Sequence, residues 1–129
     1  AQVDPKWALR HGRESFAGTI TDPSTLLLVA AEEDGRVAGY LVGKLTEPVD
    51  VLPIRSAVLR ALYVAPEHRG GGAGARLTAA FLDWARRHDA ARAEVNAYVA
   101  NEAGLRFYRR EGFTPRALRL DLDLTPPRG

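Results

Sequence analysis

"PEHRGGGAGARL", Pro66 to Leu77, places four of the chain's 12 glycines, Gly70, Gly71, Gly72 and Gly74, within five positions. Glycine gives up more backbone freedom on folding than any other residue, so a cluster this dense needs a reason. The apolar run before it, "SAVLRALYV" from Ser56 to Val64, reads as a strand. After it, Leu77, Phe81, Trp84 and His88 recur at helical spacing and predict an amphipathic helix from Gly74 to about His88. A glycine turn at the mouth of a helix is suited to an anion. The first N–H groups of the helix have no partner within it, and the macrodipole is positive there. Glycines let phosphate oxygens approach the backbone without a Cβ in the way, and Arg69 adds a fork of donors.

Working outward, "TLLLVAA" (Thr25 to Ala31) predicts a buried strand, Asp34-Gly35 a hairpin turn, and "VAGYLVGKL" (Val37 to Leu45) a second strand. Gly39 and Gly43 in that strand suggest a bulge or close packing. At the start, Asp4 as cap, Pro5 at the first turn and a loose stripe of Leu9, Phe16 and Ile20 predict a helix. Beyond the glycine helix, "RAEVNAYV" predicts a strand. Asn101 caps a helix that runs to Glu111 and stops at Gly112. "ALRLDLDL", Ala117 to Leu124, alternates as a last strand. The order predicts an α/β sandwich with a mixed sheet, antiparallel hairpins first and then a β-loop-helix-β unit.

Composition narrows the class. A chain of 129 residues, 46% hydrophobic and 26% charged, is expected to be one globular domain, 1–129, with its own core. No apolar run approaches a membrane span, no secretory pattern opens the chain and cysteine is absent, so the expected compartment is cytoplasmic. Methionine is absent too, so Ala1 is read as following a removed initiator or a trimmed segment. The pI of 9.3 accompanies a net charge of only +2, with scattered arginines. Neither nucleic acid nor membrane is expected as a partner. No His/Asp/Glu cluster has metal spacing.

Two phosphate motifs compete with plain anion binding. Walker A needs Gly-Lys-Ser/Thr, and no lysine follows these glycines. The dinucleotide pattern fits literally as Gly70, Gly72 and Ala75, with Glu94 beyond. However, "APEHR" separates the glycines from the strand, and a single β-loop-helix-β unit is too little for that fold.

From Leu59 to Phe113 the chain resembles the GNAT superfamily of acyl-CoA N-acyltransferases. "LYVAPEHRGGGAG" carries its first signature, with Arg69, Gly72 and Gly74 in place; "NEAGLRFYRREGF" carries the second, with Asn101, Ala103, Tyr108, Gly112 and Phe113. The resemblance implies a mixed, partly antiparallel sheet flanked by helices, with a splayed central strand pair. It implies an enzyme that moves the acetyl group of acetyl-CoA to a primary amine of a small molecule or peptide, by direct attack in a ternary complex. The amides of Arg69, Gly70, Gly71, Gly72, Ala73, Gly74 and Ala75 would hold the pyrophosphate of coenzyme A. The backbone of Leu62, Tyr63 and Val64 would pair with the pantetheine arm, and Asn101 would hydrogen-bond that arm. Tyr108, on the first turns of its helix, would protonate the departing thiolate.

Each role has a plainer alternative. Tyr108 and Phe107 also suit an apolar packing face, and Asn101 is a helix cap in either case. Glu94, Asn96 and Tyr98 would share one strand face by alternation. Glu94 is the candidate base, or a surface glutamate, and Asn96 would line the acceptor side. Many relatives carry an acid before "LYV", where this chain has Arg60 and Ala61. Arg60 is then either a substrate-binding cation or a solvated edge charge. His68 is read as phosphate-proximal or exposed.

The missing acid keeps a second reading open, a non-catalytic acyl-CoA-binding module; a dinucleotide-binding domain is the third. About 24 residues precede the first hairpin, so the family's N-terminal strand is expected to be shortened or absent. A homodimer through Leu118 to Leu124 is expected, since one face of that strand is leucine throughout and relatives commonly pair there.

Overall fold

Strand β3 (Thr25–Glu32) shows how the sheet is made: Leu26, Leu28 and Ala30 are fully buried while the residues between them are half-buried. Its antiparallel neighbour β4 (Val37–Thr46) buries Gly39, Leu41, Gly43 and Leu45 in the same rhythm. Asp34 and Gly35 make the turn between them. Gly35 has φ 89°, and an Asp34 carboxylate oxygen accepts the Arg36 N–H at 3.0 Å. The computed structural model describes residues 5–11, 14–32, 34–48 and 54–125. These fall into two compact units, Ala1–Tyr98 and Val99–Gly129.

The first unit is a six-stranded sheet in the order β1-β2-β3-β4-β5-β6. Strands β1 (Pro5–His11), β2 (Glu14–Asp22), β3, β4 and β5 (Ser56–Val64) pair antiparallel. Strand β6 (Arg92–Val95) pairs parallel to β5. A 3₁₀ turn (Pro66–His68), the glycine loop and helix α1 (Ala73–Arg87) connect these last two. The mixed sheet is as expected, and its antiparallel majority does not suit a dinucleotide fold.

The start of the chain corrects the expectation of a helix. β2 runs antiparallel to β3, with Phe16 opposite Ala30 and Ile20 opposite Leu26, and β1 pairs with β2. A loose apolar stripe interrupted by Gly18 and followed by Thr19 is a weak helix, and a long apolar neighbour offers a ladder instead. The opening strand is therefore present, and short at 7 residues. Asp4, read as the cap of that helix, lies outside the described residues.

Helix α1 covers one sheet face. Leu77 and Phe81 are fully buried and Trp84 nearly so, as the helical spacing predicts. Gly43 is where they dock: a Cβ there would lie 2.8 Å from the Phe81 ring. At Gly39 a Cβ would lie 3.3 Å from Leu77 and would run into the Tyr63 carbonyl oxygen, 2.5 Å away. The two glycines thus serve close packing.

In the second unit, α2 (Glu102–Arg110) is capped by Asn101, whose side-chain oxygen accepts the Gly104 N–H at 3.1 Å. Gly112, φ 102°, ends it, and the Phe113 N–H returns to the Tyr108 carbonyl at 2.9 Å. Ala117 to Leu124 is a correction, because it forms no strand and joins no ladder among the described residues. Leu118, Leu120, Leu122 and Leu124 are 73%, 84%, 84% and 89% exposed. Alternation sorts side chains onto faces, but a strand also needs a backbone partner.

Candidate functional site

The site in the first unit begins with an irregularity in β5. Ala61 pairs with Val42 and Leu59 with Gly43, so Arg60 is an extra residue with no partner on β4, a β-bulge. The parallel ladder to β6 stops at the same level, at Leu59 opposite Val95. Beyond it, β5 continues to Val64 while β6 ends, and Arg60 to Val64 present an edge that no strand pairs among the described residues. This is the expected splay: by alternation along β5 the backbone groups of Leu62 and the N–H of Val64 face the free edge, where an extended ligand can pair, while those of Tyr63 turn to β4, as the next odd residue does when the Ala65 N–H donates to the Ala38 carbonyl.

The glycine loop follows directly. Gly70 and Gly72 have φ 85° and 89°, left-handed conformations that favour glycine. The amides of Arg69, Gly71 and Arg76 are taken by the carbonyls of Pro66, His68 and Gly72. Those of Gly70, Gly72, Ala73, Gly74 and Ala75 have no backbone acceptor among the described residues. Five unpaired donors around alternating glycine conformations at a helix N-terminus form an anion nest, so these residues fit a pyrophosphate. Arg69 Nε donates to the Val64 carbonyl at 3.1 Å, which ties the strand end to the loop. Arg76 was not among the expected site residues. Its Nη1 folds back to the Gly71 carbonyl at 3.2 Å, one helical turn beyond Gly72, and that spacing was the available signal.

On the opposite sheet face from α1, Lys44, Val58 and Glu94 form one row across three strands. Gly43 and Leu59 face α1, so their neighbours Lys44 and Val58 point the other way, and Glu94 with Val58. Tyr40 and Tyr63 stack on that face with ring centroids 5.5 Å apart. Glu94 is half-buried there, one residue before the ladder ends. Asn96 and Tyr98 do not share its strand face, because β6 stops at Val95 and both are exposed. The ladder ends level with the bulge, since Leu59, the partner of Val95, is the residue just before Arg60. Arg60 itself is exposed.

His68 is neither exposed nor turned to the loop's amides. Its Nε2 lies 3.1 Å from Glu32 Oε1.

In the second unit, Tyr108 sits near the end of α2 rather than in its first turns. Phe107 and Phe113 pack edge-on against its ring at 5.3 and 5.8 Å. Burial pushes its hydroxyl pKa up from the ordinary value near 10, so the phenol stays protonated at neutral pH. Asn101 caps the same helix.

Among the described residues no helix is long and apolar enough to cross a membrane, and no group of three or more His, Asp and Glu could hold a metal ion.

The chain is 37% identical over 113 residues to a mycothiol acetyltransferase of Acidimicrobium ferrooxidans, a match covering 85% of this chain and 33% of that protein. It is 35% identical over 98 residues to an uncharacterized N-acetyltransferase of Mycobacterium bovis, covering 76% of this chain and 58% of that one. The chain therefore spans only part of the length of these relatives. An aminoglycoside acetyltransferase from an uncultured soil metagenomic sample, solved with trehalose, superposes with a TM-score of 0.70 at 20% identity, over 83% of this chain and 69% of that one. The bulged and splayed strand pair, the glycine nest and the capped helix after it accompany a match of residues 3–113 to the acetyltransferase (GNAT) family, and the chain belongs to that family.

Proposed function

We propose that the chain is one N-acetyltransferase domain that uses acetyl-CoA to acetylate a primary amine of a small molecule or peptide, by direct attack with both substrates bound. The observation that carries this is the glycine nest continuous with the unpaired edge of β5, a phosphate cradle next to a strand-like slot. Acetyl-CoA supplies the activated acetyl thioester. The amides of Gly70 and of Gly72 to Ala75 hold the pyrophosphate, and Arg69 and Arg76 hold the loop in shape. Leu62 and Val64, on either side of Tyr63, align the pantetheine arm as an added strand, and Asn101 contributes a polar group to it. The bulge at Arg60 leaves backbone groups unpaired, available to an acyl oxygen as negative charge develops.

Amine attack needs a neutral nucleophile and a protonated leaving group. Glu94 takes the proton from the acceptor ammonium. Tyr108 holds the proton that the departing thiolate requires, and its raised pKa keeps that proton in place. Arg60 and Asn96 meet the acceptor. Turnover with acetyl-CoA and a panel of amines, read as released thiol, tests the reading. Release above background with at least one amine is expected.

One observation favours a second reading, a non-catalytic acyl-CoA-binding module: positions 60 and 61 hold Arg and Ala where many relatives carry an acid. Tight coenzyme A binding with no turnover across the panel would select it.

A further inference from the structure

We propose that Glu32 and His68 form a positioning pair that holds the glycine loop in its anion-binding shape, which rests on the coenzyme reading above. His68 Nε2 is 3.1 Å from Glu32 Oε1, and the side chains are 16% and 33% exposed. Glu32 is a firm anchor. It is the last residue of β3, its N–H donates to the Arg36 carbonyl at 2.8 Å, and its carbonyl accepts the Gly35 N–H at 2.9 Å. His68 is the last residue of the 3₁₀ turn. Its N–H donates to the Ala65 carbonyl at 2.8 Å, and its carbonyl accepts the Gly71 N–H at 3.2 Å. A continuous relay therefore runs from the Glu32 carboxylate through the His68 ring and carbonyl to the Gly71 amide. Gly71 lies between the two left-handed glycines of the nest.

The side-chain bonds of Arg69 to Val64 and of Arg76 to Gly71 each span five residues and are exposed, and the Ala65 N–H fixes only the start of the loop, donating to the Ala38 carbonyl at 2.8 Å. The Glu32–His68 pair fastens the loop to a separate hairpin. Three consecutive glycines lose much conformational entropy when they order, and a loop ordered before binding avoids that loss at the moment of binding. A part-buried, charge-assisted contact is a stronger tie than a surface ion pair. Neither residue need touch coenzyme, so both act through Gly71.

The test is isothermal titration of coenzyme A into the parent, His68→Ala, Glu32→Ala, the double variant and His68→Gln, with Tm measured on each. Each single alanine variant is expected to weaken binding about tenfold, the scale of one charge-assisted hydrogen bond. The double variant is expected to be no worse than the singles, and His68→Gln, which keeps a donor, to recover most of the affinity. A role confined to folding would lower Tm and leave the affinity of the folded variants unchanged, and would overturn the proposal. So would double-variant losses that multiply. A parent that binds no coenzyme A would overturn the coenzyme reading and the pair with it. Parental binding with unchanged variants would overturn the pair alone.

Discussion

Gly72→Ala separates the cost of a strained backbone from the loss of an anion site. Gly72 has φ 89°, and an alanine there pays about 1–2 kcal/mol for the left-handed conformation. Its Cβ would lie 2.9 Å from Arg76 Nη1, so that side chain must shift and its exposed bond to the Gly71 carbonyl is weakened. Folding should lose chiefly the conformational term, an exposed hydrogen bond adding little, and Tm should fall by about 3–8 °C. Gly35 is the matched control: its φ is also 89°, and a Cβ there meets nothing within 4 Å. Gly35→Ala should lower Tm as much. Binding should divide the two. In Gly72→Ala the new methyl group and the relaxed φ disturb the cradle of amides at residues 70 and 72–75. Loss of two amide bonds to a charged oxygen, at about 1.5–3 kcal/mol each, raises Kd about a hundredfold or more. Gly35→Ala should change Kd by no more than a few-fold. Calorimetric titration of coenzyme A and a thermal melt on each variant give all four values. If Gly72→Ala binds coenzyme A as the parent does, the nest is not the pyrophosphate site.

Tyr108→Phe should lower kcat by about ten- to a thousandfold, the scale of a lost general acid, with little change in acetyl-CoA affinity; an unchanged kcat returns Tyr108 to packing between Phe107 and Phe113. Because burial raises its pKa, the protonated form persists above pH 10, so any alkaline fall in kcat due to Tyr108 lies above that value, and a Tyr108-dependent limb near pH 8 would contradict the assignment. Thr78 is fully buried and its hydroxyl has no hydrogen-bond partner among the described residues, so Thr78→Val should be neutral or raise stability by about 1 kcal/mol in urea titration, and a loss above about 1 kcal/mol would reveal an unseen partner. The exposed leucines from Leu118 to Leu124 should pair with a second copy, and light scattering after size exclusion should give twice the 14.1 kDa of one chain at micromolar concentration; a monomer mass refutes it.

What the sequence made legible was local. Ser56 to Val64, the glycines and the apolar spacing from Leu77 to Trp84 are consecutive, so strand, loop and helix followed from spacing and the sites where glycine is needed. Asn101 and Gly112 mark the ends of α2 through bonds that reach only a few residues. The misreadings all turned on distant partners. Leu9, Phe16 and Ile20 allow a helix, but a helix satisfies its own backbone, whereas β1 and β2 take their partners from each other and from β3. At Leu118 to Leu124 the alternation is better than in most true strands here, yet no ladder forms. "RAEVNAYV" stops at Val95, level with the irregularity at Arg60 on β5, a feature of another strand that its own alternation does not show.

The same division explains the candidate site. The amide nest is built by one continuous stretch, so its residues could be named in advance. The Glu32–His68 tie depends on the β3–β4 hairpin lying beside the loop, and neither residue's neighbours announce the other. A short motif can specify the donors that meet an anion. The stiffness that makes those donors effective comes from contacts across the fold, and that is why the positioning pair emerges only from the structure.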